Sequence, residues 1–184
     1  MDTVEKAEKY TFFLRVASFL LDWAITAPIV FIAVAALIPR FTYGPGEIGS
    51  AEGLAFFVLA QLIMPHEAAL MAVGPYLEVL LRGSSPDHLS FVTMVLFFAG
   101  MLIRTFVISL LEILRKGQSL GKKAMGLSMT PLPWYGYFFR NLCRELSFHY
   151  LLGIPLLVGL FRMDGKTACD LMFGTQVLPV KNLK

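Results

Sequence analysis

Cysteine is almost missing from this chain. Cys143 and Cys169 are its only two, far apart and without a CxxC partner, so neither a zinc site nor a disulfide is indicated and two free thiols are expected. Charge is scarce too. Acidic and basic residues make up 16% of the chain, and a formal net charge of +3 is too small and too scattered to hold nucleic acid. No nucleophile stands beside a base, no dinucleotide fingerprint occurs, and His66, His88 and His149 are isolated, so the chain is read as a non-enzyme without metal or cofactor. The glycines and lysines at 117 to 123 do not make a phosphate loop either. Gly117 and Gly121 have three residues between them where the Walker pattern needs four, and Lys123 follows Lys122 where it needs Ser or Thr.

What abounds is apolar surface: 57% of the 184 residues are hydrophobic, sixteen of them Phe, which is well above the soluble average. An integral membrane protein follows. Residues 12–38 form the first spanning helix, 27 mostly apolar residues where about 20 suffice. This run is far longer than a signal-peptide core, so it is expected to stay as an uncleaved signal anchor. Yet Arg15, Ser18, Asp22 and Thr26 recur at spacings of 3, 4 and 4, which places all four within an arc of roughly 80°. One face is therefore a polar seam. A charge in hydrocarbon costs on the order of 3 kcal/mol, so the seam must face protein, water or a ligand. Two readings stay open: a functional site, or an Arg15 that snorkels to the headgroups above an Asp22 that ties helices together.

Residues 39–88 carry two basic side chains against five acidic ones, the pattern of an outer loop. Within it, apolar stretches at 53–64 and 68–81 are separated by Pro65, His66 and Glu67; neither half can span, and both are expected as short outer-face helices. Residues 89–114 form the second spanning helix. Arg104 lies ten residues before Leu114 and Asp22 ten residues after Phe12, both ~15 Å deep. An Asp22 to Arg104 ion pair is expected from this match, the alternative being a local pairing of Arg104 with Glu112 or with backbone carbonyls. Residues 115–133 are a cytoplasmic basic turn, with four basic residues between Arg115 and Lys123. Gly117, Gly121, Lys122 and Lys123 there suit a turn in contact with anionic lipid headgroups.

A third membrane segment is expected over 138–161, spanning or re-entrant, because Arg140, Arg144 and Glu145 load its first half while Gly153 and Pro155 weaken its second. The tail 166–184 is basic on balance and is expected in the cytoplasm. Gly174 is a plausible helix cap there, and TQVLPV beyond it reads as extended. The whole is an all-α membrane protein: a small transmembrane helical bundle with two firm spanning helices, a third spanning or re-entrant segment, and a broken helical insert on the outer face.

Arg15 and Asp22 seven apart, the turn GQSLGKKAMGL at 117–127 and CDLMFGTQVL at 169–178 together resemble the RDD family of small bacterial membrane proteins, named for one arginine and two aspartates. The resemblance covers most of the chain except residues 40–88. It places the family's arginine on Arg15, its aspartates on Asp22 and Asp170, and its Gly-Lys turn on Gly121 and Lys122. Where family members often carry histidine before the second aspartate, this chain has Cys169, so a proton-transfer role for that histidine does not carry over. The resemblance implies a bacterial inner (plasma) membrane protein, and the asymmetry of basic residues between the loops puts its N-terminus in the cytoplasm. Its activity is expected to be either small-scale transport with cation or proton coupling through Arg15, Asp22 and Asp170, or an accessory and assembly role with a membrane partner on residues 53–81. Arg15, Asp22 and Asp170 are expected to converge in the cytoplasmic half, supported by Ser18 and Arg104.

Overall fold

The computed structural model describes residues 3–36, 59, 73–75, 88–151, 154–161 and 166–179. Its first element, α1 (Thr3–Ala35), contains no glycine and one proline, Pro28. Within it, Phe12–Val34 is long and apolar enough to cross a membrane. The second element, α2 (His88–Leu114), contains the other such stretch among the described residues, Phe91–Leu114. Two helices of spanning length and apolarity are thus present, at 12–34 and 91–114.

The end of α2 follows from its own sequence. Gly117 N–H donates to Glu112 O at 2.7 Å and Lys116 N–H to Ile113 O at 3.3 Å, a Schellman closure whose left-handed residue is Lys116 at φ 51°. Gly117 follows at φ 92°, and a Cβ there would strike the Met129 carbonyl, so only glycine lets the chain pass this point. The one-turn helix α3 (Leu120–Ala124) comes next, then β1 (Leu127–Met129).

The expected third membrane segment is two helices, α4 (Trp134–Tyr150) and α5 (Ile154–Phe161). Neither qualifies as a span: α4 buries Arg140, Asn141, Arg144 and Glu145 on one face, and α5 is eight residues, ~12 Å of helix. The chain then forms α6 (Ala168–Met172) and β2 (Val177–Pro179). β1 and β2 pair antiparallel, with Leu127 opposite Pro179 and Met129 opposite Val177. The described residues are mostly helical, as expected, and this short two-stranded ladder is the addition to the helical plan. The extended tail finds its partner in the residues after the basic turn, because Leu127, Met129 and Val177 can then be buried together with Tyr137, each worth about 1.5–3 kcal/mol relative to exposure.

The contacts divide into two units, Met1–Thr26 with Arg104–Lys184, and Ala27–Ile103. In the second, Val30, Val34, Val92, Leu96, Phe97 and Met101 are buried; the outer-loop helices expected over 53–64 and 68–81 lie outside the described residues except for helical backbone at Leu59 and 73–75. The first unit holds every candidate site residue named above.

Candidate functional site: a buried charge network

The polar seam of α1 is buried. Ser18, Asp22 and Thr26 are each 2% exposed, whereas Phe13, Leu20 and Ile25 on the other faces are open. Thr26 spends its hydroxyl locally, donating to Asp22 O at 2.8 Å. Asp22 reaches further. Its carboxylate accepts from Ser119 Oγ at 2.5 Å and from the Gly121 backbone N–H at 2.7 Å. Ser119 is also the N-cap of α3 and accepts from Lys122 N–H at 3.3 Å, so one hydroxyl both caps the turn and binds α1. Gly121 sits so close to α1 that a Cβ would run into the Ser18 carbonyl. The backbone approach, and with it the Asp22 bond, requires glycine.

Arg15 and Asp170 do meet, at 3.6 Å. Arg15 also donates to Val177 O at 2.5 Å, tying α1 to β2. Asp170 closes a capping box with Thr167 at the start of α6, and its Oδ1 accepts from Arg140 Nη2 at 2.5 Å, Arg140 Nε at 3.1 Å and Thr175 Oγ1 at 3.0 Å. Burial alone would raise the Asp170 pKa, but the Arg140 guanidinium, then Arg15 and the Thr167 N–H, hold it well below the usual carboxylate range. Burial pushes the neighbouring Cys169 thiol up, although Ser147 opposes this.

Arg104 does not pair with Asp22. It lies 3.5 Å from Glu145 with both side chains fully buried, and its guanidinium carbon stacks 4.6 Å over the Trp23 ring. Matching depth does not fix azimuth, and Asp22 is already occupied by Ser119 and Gly121. Lys122 likewise turns inward, where an outward-facing lysine is expected. It is 3% exposed and pairs with Glu112 at 2.5 Å, whose other oxygen accepts from Asn141 Nδ2 at 2.8 Å. Burial, with Arg140 and Arg144 nearby, lowers the Lys122 pKa to about 8 despite the Glu112 charge. Gly117 and Gly121 are also buried, while Arg115, Lys116 and Lys123 are exposed.

Glu112, Arg140, Asn141 and Glu145 therefore do more than the sequence assigned to them. One signal was available: Arg140, Arg144 and Glu145 stand within six positions of a segment next to apolar sequence, and such charges need internal partners. Arg15, Lys122, Arg140 and Arg144 line a cavity of about 50 Å³, together with Asp170. Chemically, the site holds the Asp170 carboxylate ionised and places guanidinium and ammonium groups around a small space. Comparison with protein-family models, with curated proteins and with solved structures returned no match to this chain.

Proposed function

We propose that this chain is an integral membrane protein of the inner (plasma) membrane, N-terminus cytoplasmic, built on the plan of the RDD family it resembles, and that it serves as a non-transporting accessory or assembly subunit. One observation carries the choice. All four acidic side chains buried among the described residues, Asp22, Glu112, Glu145 and Asp170, already face a donor or a cation of the same chain. A carrier of protons or cations needs a carboxylate that can change its occupant, and a carboxylate held by Arg140 is stabilised in its ionised, paired form.

Support for the membrane comes from the open apolar side chains of the two long helices, such as Phe13, Ile32, Phe106 and Leu110, and from Trp134 and Tyr135, 71% and 52% exposed where the basic turn ends. A soluble surface does not carry such a belt without a partner. Vesicles reconstituted with the purified chain test the proposal. Cation and proton flux should equal that of empty vesicles, Asp22→Asn should change protein level only, and a stoichiometric membrane partner should copurify. Flux above empty vesicles that Asp22→Asn abolishes would establish the transport reading instead.

A further inference from the structure

We infer that the cavity lined by Arg15, Lys122, Arg140 and Arg144 is a binding site for a phosphate-type oxyanion. Its volume, about 50 Å³, exceeds the ~10–15 Å³ that one water needs on this measure, and so admits a group of a few non-hydrogen atoms. Four cations surround it; Asp170 pairs with Arg140 and Arg15 and Glu112 with Lys122, two carboxylates among four cations. The Asp170 oxygens are turned to Arg140, Thr167 and Thr175, which leaves the cavity itself positive.

The donors already point to an acceptor. Arg144 is 6% exposed, and its Nε and Nη2 have no hydrogen-bond partner among the described residues; nor has Nη1 of Arg140, which is 4% exposed. Arg140 presents its Nε and Nη2 edge to Asp170, so Nη1 is the atom left over. Arg144 stacks 4.9 Å over Phe19, a contact that orients the guanidinium without using its N–H groups. Planar guanidinium donors in this arrangement suit an anion with several oxygens.

The position favours one source. Phe12 is the first residue of the apolar span and Phe19 lies seven residues on, ~10 Å by helical rise, so the cavity lies along the first two turns of the span, just inside the headgroup layer, with the Phe12 and Phe19 rings beside it. A phospholipid phosphate and free inorganic phosphate share the recognised chemistry. The inference stands apart from the transport question, because vesicle flux and anion binding are read by different assays.

The test uses the full chain, delipidated in a neutral detergent. Thermal unfolding is followed against inorganic phosphate at constant ionic strength set with chloride, and native mass spectrometry counts phosphatidylglycerol against phosphatidylcholine retained. Expected are a saturable rise in Tm with phosphate, a preference for phosphatidylglycerol, or both. Phosphate alone active identifies the free anion, and phosphatidylglycerol alone identifies the lipid. Arg144→Gln should weaken the effect at least tenfold while raising Tm in phosphate-free buffer, since it removes a buried charge that lacks an acceptor; Arg144→Lys, which keeps the charge but loses the planar donor edge, should fall between the two. Equal behaviour of wild type and Arg144→Gln would overturn the site. If Arg144→Gln gives no folded protein, the wild type decides: no saturable phosphate effect and no preference for phosphatidylglycerol overturns it equally.

Discussion

The Asp22 carboxylate accepts the backbone N–H of Gly121 at 2.7 Å, across 99 positions of sequence, and the same residue pair brings Gly121 against the Ser18 carbonyl. The contact fixes a one-turn helix on the polar seam of α1. Gly121→Ala should therefore cost about 1–3 kcal/mol in unfolding free energy, the range for forcing extra volume into a packed site. Asp22→Ala should cost about 1–3 kcal/mol as well, by stranding a buried N–H and the Ser119 hydroxyl. Chemical unfolding in detergent measures both, and a Gly121→Ala protein as stable as wild type would contradict the close approach.

Much of this site was legible in the sequence because helical spacing is a strong signal. Arg15, Ser18, Asp22 and Thr26 had to share a face, and the face had to be covered. What covers it was not legible. Ser119 and Gly121 reach Asp22 only because α3 turns back onto α1, and counting basic residues in the turn cannot say that Lys122 goes inward while Lys123 faces out. Depth counting paired Arg104 with Asp22 because it carries no angular information, and Glu145, a residue of another helix, took the position instead. The small sheet was half visible: β2 is extended by composition, but its pairing with β1 is a long-range event that local sequence does not encode.

The pH dependence of stability should have two limbs. Asp170 has its pKa depressed in the folded state from an ordinary 3.8, so below about pH 4 the unfolded chain binds a proton that the folded chain refuses, and stability falls as pH falls. Lys122 has its pKa lowered from 10.5 to about 8. Between those values the unfolded chain holds the extra proton, so stability rises as pH rises from about 8 to 10.5. Melting curves at a series of pH values check both limbs. Lys122→Met should flatten the alkaline one, and a stability that falls between pH 8 and 10 in wild type would contradict the burial of Lys122.

Orientation is testable by thiol labelling after Cys143 and Cys169 are replaced. A cysteine at Ser50 should react with an impermeant reagent added outside, and one at the exposed Arg115 should react only after permeabilisation. Ser119 is unsuitable as the inner probe because it is buried against Asp22. The reverse pattern would overturn the cytoplasmic N-terminus.

That the buried acids serve as fixed internal partners is tested most directly by a double-mutant cycle on Arg140 and Asp170, 2.5 Å apart. Asp170→Ala alone strands a buried guanidinium and should cost about 3–5 kcal/mol, as should Arg140→Ala for the converse reason. The double variant should cost less than the sum of the two by a coupling of about 1–3 kcal/mol. Unfolding free energies of the four proteins give the answer. Strong coupling is the expected result; additive losses within about 0.5 kcal/mol would mean that Asp170 is not held by Arg140 and would leave it free to exchange its occupant.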